Sequence, residues 1–157
     1  MALLRSPDAP GPATYRAIFD SAASFAIIMS DSEGRVTAWN PGAERILGWS
    51  AEEMVGRPTA AFFTPEDRAA DRPAAEMRCA AETGCAADER WHLRKDGTRF
   101  WASGELMPLR APDGSGLGFL KILRDRPEYD TRSLAFVKCV QCSADIPNGR
   151  WAMSLNQ

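Results

Sequence analysis

Hydrophobic positions along the chain change period three times, and the changes divide it into elements. Tyr15, Ile18 and Phe19 fall at i, i+3, i+4 and give a short helix one apolar face, with its start expected near Thr14. Phe25 to Met29 is apolar and partly β-branched and ends at Asp31-Ser32-Glu33-Gly34, a turn leading to Arg35 to Trp39. These two runs predict a hairpin. Asn40-Pro41 then reads as a cap and first helical residue, with Gly48 as the stop. Ser50-Ala51-Glu52-Glu53 has the spacing of a capping box, closed by Gly56, and Thr64-Pro65-Glu66-Asp67 opens another helix. Pro73 restarts the helix and Ala74 to Thr83 runs to a stop at Gly84.

From Glu89 the period returns to two. A two-residue turn at Asp96-Gly97 would set Leu93 opposite Phe100 and Trp91 opposite Ala102 on one face, with His92 opposite Trp101 on the other. A further pairing around Asp113-Gly114 joins Glu105 to Leu109 with Leu117 to Leu123, and Pro127 ends the sheet. Two strands, several short helices and three strands predict an α+β domain: a five-stranded antiparallel sheet with helices on one face. The expected interior is lined by Phe25, Ile27, Trp39, Leu47, Phe62, Met77, Trp91 and Phe119. Solid packing is its expected state, with a cavity for a planar cofactor as the alternative.

Composition narrows the function. With 157 residues and 45% apolar content the chain suits one domain. The expected organisation is a flexible lead over 1–13, rich in Pro and Gly, a domain over 14–126 and a tail of unassigned role over 127–157. A formal net charge of -2 with both signs interspersed offers no basic stripe, which argues against nucleic acid or anionic lipid as partner. No apolar run is long enough to cross a bilayer and the first twelve residues lack a secretory signal's apolar stretch, so the expected setting is cytoplasmic. The four cysteines, Cys79, Cys85, Cys139 and Cys142, are then expected as thiols.

Several blocks in order carry a resemblance: Ile28-Met29-Ser30-Asp31 before Gly34-Arg35-Val36, Trp39-Asn40-Pro41-Gly42-Ala43-Glu44-Arg45-Ile46-Leu47-Gly48-Trp49-Ser50, Glu52-Glu53-Met54-Val55-Gly56-Arg57, Trp91-His92-Leu93-Arg94-Lys95-Asp96-Gly97, and Phe119-Leu120-Lys121-Ile122-Leu123-Arg124-Asp125. Together they resemble the PAS domain family over about Tyr15 to Arg126. The resemblance implies a sensory module of bacterial signalling proteins, often attached to a histidine kinase or a cyclic-nucleotide enzyme. Too few residues follow Arg126 for a further catalytic domain, so a kinase or other signalling partner is expected to act in trans unless the chain is a fragment.

Cofactor chemistry is tested on the residues present. A flavin-adduct member of the LOV kind needs a cysteine just after Gly56-Arg57, where this chain has Pro58-Thr59-Ala60-Ala61. Haem-bearing relatives hold iron through a histidine near the long helix, and the one histidine, His92, is expected on the sheet face away from the interior. The expectation is therefore no cofactor, with non-covalent flavin or a small apolar ligand as the alternative and haem behind both. Asn40 has two readings, helix cap and ligand contact. Asp125 is expected at the exit towards an output, paired with Arg94 or Arg124. Trp101 on the outer face, with Tyr15, Ile18 and Phe19, is expected to form a homodimer interface. Cys139 and Cys142 have the spacing of half a zinc site or of a redox pair, with chance as the simpler account and a dimer-bridging metal site as the sharper one. No nucleophile, base and acid set appears, so an enzyme is not expected. The leading function is a sensory or relay module acting by ligand- or partner-dependent association, with a cofactor-free dimerisation or docking module as its rival.

Overall fold

The computed structural model describes residues 10–127. In chain order it has α1 (Pro12–Ser21), β1 (Ala26–Ser30), β2 (Val36–Trp39), α2 (Pro41–Leu47), α3 (Ala51–Met54), a 3-10 turn (Thr59–Phe62), α4 (Pro65–Ala69), α5 (Arg72–Thr83), β3 (Ala86–Leu93), β4 (Arg99–Arg110) and β5 (Gly116–Asp125). The sheet is antiparallel in order β2-β1-β5-β4-β3, so the first and last-formed hairpins meet at β1 and β5.

Local chemistry accounts for the helix starts. The Asn40 and Thr64 side chains accept from Ala43 N and Asp67 N, and Ser50 with Glu53 forms the reciprocal capping box. The leading helix begins two residues before the expected Thr14, because Pro12 is preset for a first turn and Gly11 takes the extended cap position. The 3-10 turn at Thr59–Phe62 has no periodic signature and is not legible in the sequence.

The hairpin after β3 departs from expectation by one residue. Arg94 N donates to Thr98 O and Gly97 N to Arg94 O, leaving a three-residue loop of Lys95, Asp96 and Gly97. Gly97 has φ +84°, and Asp96 Oδ1 accepts from Thr98 N and Oγ1. Asp-Gly thus fills the last two places of a three-residue turn rather than a two-residue one. The observed pairs are Leu93 with Arg99, His92 with Phe100 and Trp91 with Trp101. A slip of one residue exchanges sheet faces. Trp91 therefore moves from the expected interior to the outer face, and His92 moves inside, where it is fully buried.

Strand parity corrects two more interior candidates. Ala26, Ile28 and Ser30 are the buried residues of β1, so Ile27 lies on the outer face. Phe25 precedes the strand and stays 41% exposed, with the Arg124 guanidinium 5.9 Å from its ring centroid. Trp39, Leu47, Phe62 and Phe119 are buried as expected, and Met77 is half-buried against the second core cluster. The main core joins Ile28, Val36, Trp39, Leu47, Met54, Phe62, Phe63, Phe100 and Leu123 between the sheet and the short helices.

Candidate functional site

The space between α5 and the sheet is filled by charge. Lys121 on β5 points inward and places Nζ 2.7 and 2.8 Å from the two carboxylate oxygens of Glu76 on α5, and 2.7 Å from Asp88 Oδ2 on β3. Asp88 also accepts from Arg90 Nε at 2.7 Å and lies 2.8 Å from His92 Nε2. His92 Nδ1 is 3.0 Å from the Phe62 carbonyl. Phe62 and Phe63 stack with centroids 5.5 Å apart, and the Lys121 ammonium sits 4.7 Å from the centroid of Phe63. Beside them is a cavity of about 10 Å³ bounded by Ile28, Ser30, Thr59, Phe63, Glu76, Met77 and Lys121 among others.

Electrostatics follow from this packing. Burial works against ionised Asp88, but the charges of His92, Lys121 and Arg90 outweigh it and hold the carboxyl well below the usual range. Burial likewise opposes the Lys121 ammonium, and the attraction of Asp88 and Glu76 overrides it, raising the group above its ordinary value. At Glu76 burial wins over Lys121 and pushes the carboxyl up.

The cavity beside this cluster is about 10 Å³. A cavity of that volume is about one water sphere, and the rest of the space is taken by side chains. Both nitrogens of His92 are occupied by neighbours, leaving none turned to a metal. Among the described residues, no group of three His, Cys, Asp or Glu is placed to hold a metal ion. Cys139 and Cys142 lie outside the described residues.

Asn40 belongs to the scaffold. Its Oδ1 accepts from Ala43 N and Ile27 N, each at 2.8 Å, while Nδ2 donates towards the carbonyls of Phe19, Ala22 and Phe25 at 3.1 to 3.2 Å. Every donor and acceptor of the amide is used by backbone, which is the cap reading of the residue extended to four further partners. Gly42 allows this clasp, since a Cβ there would lie 1.9 Å from Phe25 O.

At the sheet's exit, Arg94 Nη2 donates to Asp125 Oδ2 at 2.6 Å, and its other terminal nitrogen donates to the Ile46 carbonyl. One guanidinium thus ties the end of α2, the β3–β4 loop and the end of β5. On the outer face Trp91 and Trp101 meet edge to face, centroids 5.6 Å apart, and the Trp101 Nε1 donor is buried without a partner. Tyr15 and Ile18 on α1 remain 60% and 57% exposed, and that helix buries no residue. Phe19 carries the Arg16 guanidinium 5.8 Å from its centroid.

A family model described as the PAS fold matches residues 13–126. This chain belongs to the PAS family. As a PAS domain it is 36% identical over 115 residues to Two-component system protein A of Emericella nidulans, an alignment covering 73% of this chain and 17% of that protein. The chain therefore spans less than a fifth of that curated relative. A PAS domain from Colwellia psychrerythraea superposes with TM-score 0.67 at 25% identity, covering 75% of this chain and 99% of that one. A domain of a sensory box sensor histidine kinase/response regulator from Geobacter sulfurreducens gives TM-score 0.58 at 25% identity, covering 72% and 92%. The PAS domain is thus a sensory module similar to parts of signalling proteins. No helix among its described residues is long and apolar enough to cross a membrane.

The sequence singled out Asp125 and Arg94, and the structure brings them together. It did not single out Glu76, Asp88 or Lys121. For Lys121 alone the strand period carries a signal: it sits between Phe119 and Leu123 at alternate positions, so a strand that buries those two also buries the lysine.

Proposed function

We propose that this PAS domain is a cytoplasmic relay that works by association through the outer face of its sheet, pairing with a second copy of itself and presenting the pair to a histidine kinase or another signalling protein. The observation that carries this reading is the Trp91–Trp101 pair, two indoles packed edge to face on the outer side of the sheet. Large amphipathic rings on the outer face of a sheet are the kind of surface that a protein partner covers. Two features support it: the exposed Tyr15 and Ile18, and a groove of about 320 Å³ whose lining includes Glu89, Glu105, Arg124 and Arg126. Acidic and basic residues on one face complement each other across a two-fold axis.

The filled interior favours this docking reading over a flavin or apolar-ligand sensor. Sedimentation velocity over a concentration series tests it. The expected result is a concentration-dependent dimer that Trp101→Ser weakens at least about tenfold, corresponding to about 1.4 kcal/mol. A wild-type chain that stays monomeric throughout overturns it. Absorbance and native mass of the purified protein test the rival, since a chromophore band or a released small molecule would restore the cofactor reading.

A further inference from the structure

Ser30 ends β1 and is only 4% exposed, so bulk solvent does not reach its side chain. Among the described residues no hydrogen bond engages its hydroxyl, nor that of Thr59, which opens the 3-10 turn. A buried hydroxyl without a partner costs free energy, and in folded proteins such a group meets either protein or ordered water. The Ser30 backbone cannot shift to find a protein partner. It is paired with Phe119 in the β1–β5 ladder, and Gly118 comes so close that a Cβ there would fall 1.9 Å from Ser30 O.

Both residues line the cavity of about 10 Å³ beside the ionic core, and Glu76 and Lys121 form another part of its wall. The volume admits a single water and nothing larger. The hydrogen-bonding capacity of the wall can be assigned group by group. Lys121 has three N–H donors and three carboxylate oxygens within 2.8 Å, Glu76 Oε1 and Oε2 and Asp88 Oδ2, so its donors are committed. Each Glu76 oxygen accepts one bond from that ammonium and keeps a lone pair. The two hydroxyls can each donate and accept. A buried water makes two to four hydrogen bonds, and these three groups supply them. An apolar occupant would leave all three unserved.

We infer that this cavity is a binding site for one water molecule, held by the Ser30 and Thr59 hydroxyls and the Glu76 carboxylate, and that the water joins β1, the 3-10 turn and α5. It donates one hydrogen to Glu76 and exchanges hydrogen bonds with the two hydroxyls. Among the described residues the Glu76 carboxylate takes hydrogen bonds from Lys121 alone, and the water gives it a second donor. A buried carboxylate gains more from such a bond than an exposed one, because no other solvent reaches it. The site stands apart from the relay reading above, since it faces the helices and not the outer side of the sheet.

A high-resolution crystal structure of the full chain tests the site directly. Density for one water is expected at about 2.6 to 3.2 Å from both Ser30 Oγ and a Glu76 carboxylate oxygen. A Ser30 hydroxyl bonded to protein, with no solvent density between it and Glu76, overturns the proposal. So does density for a larger molecule, seen also as excess mass in native mass spectrometry. In solution, ¹⁷O magnetic relaxation dispersion counts waters that stay bound for long. Ser30→Val, whose methyl groups take up the space, is expected to lose one such water relative to the wild type, and an equal count defeats the idea. Thr59→Val keeps the side chain's shape and removes one partner, so the water should remain and exchange at least about fivefold faster. If Ser30→Val does not fold, the Thr59→Val exchange rate decides: an unchanged rate removes Thr59 from the site and overturns the three-way bridge.

Discussion

Lys121 and Glu76 meet inside the domain with both side chains at most 4% exposed, the ammonium bridging the two carboxylate oxygens at 2.7 and 2.8 Å. They tie α5 directly to the strand that ends at Asp125, beside the apolar cluster of Ala80, Met77 and Phe119. Removing one charge strands the other. Lys121→Met is expected to cost about 3 to 5 kcal/mol, because Glu76 and Asp88 are left without their shared cation. Adding Glu76→Met to it is expected to recover more than about 1 kcal/mol, since two well-packed methionines leave no excess charge at that position. Urea unfolding of the two single variants and the double variant measures the coupling. Strict additivity would show that the pair does not act as a unit.

The two carboxyls of the cluster impose opposite pH trends. Asp88 is held well below its unfolded value, so the stability it contributes is present above about pH 4 and is lost as pH falls towards its folded value. Glu76 is pushed up by burial, so its contribution is greatest below its unfolded value of about 4.3 and declines as pH rises through the folded one. Glu76→Gln should therefore remove a decline in stability on the alkaline side of about pH 4.3 while leaving the acid limb intact. Denaturant midpoints across pH check this, and an unchanged profile would mean that Glu76 titrates as it does in the unfolded chain.

Asn40 discriminates between a simple cap and a clasp. At an ordinary N-cap aspartate serves as well as asparagine. Here Nδ2 faces the carbonyls of Phe19, Ala22 and Phe25, and a carboxylate would set oxygen against oxygen at about 3 Å. Asn40→Asp is expected to destabilise by about 2 to 4 kcal/mol at neutral pH, at least as much as Asn40→Ala. Thermal unfolding ranks the two, and a neutral Asp variant would reduce the residue to a cap.

Next to it, Gly42→Ala tests the close approach from the other side. In an exposed helix alanine is better than glycine by about 1 kcal/mol. The added Cβ would fall 1.9 Å from Phe25 O and 2.7 Å from Ala22 O, both of them backbone. The expected result is a loss of at least about 2 kcal/mol rather than a gain, with the Asn40 clasp opened. A stabilised variant would show that the loop between α1 and β1 gives way at little cost.

These residues show what could be read from the chain and what could not. Asn40, Ser50 and Thr64 declared their caps because a cap is a local exchange of hydrogen bonds, complete within four residues. The order of hairpins and short helices then follows from the family motifs, while the β3–β4 turn and the start of α1 lie one and two residues from where the residues put them. The face of Trp91 was misjudged because Asp96-Gly97 suits two loop lengths, and the choice depends on Asp96 committing its carboxylate to Thr98. The ionic core was missed for a different reason. Glu76, Asp88 and Lys121 are separated in the chain and acceptable inside only as a set, so each one alone reads as a surface charge.

Arg94 offers a test of how the exit is held. Its fork spans the Ile46 carbonyl and Asp125, a geometry that needs two nitrogens fixed in one plane. Lysine keeps the charge and lacks the fork, so Arg94→Lys should free either the end of α2 or the end of β5. The pair is only partly buried, with about a quarter of each side chain exposed, so the global cost is expected at no more than about 1 kcal/mol. Local opening should change far more. Amide exchange near Leu47 and near Asp125 is expected to rise at least about fivefold while exchange in Ile28 and Leu123 follows global stability. If both ends stay as protected as in the wild type, the Arg94–Asp125 contact is a surface pair with no hold on the exit, and a signal leaving through β5 must be carried by the Lys121–Glu76 link instead.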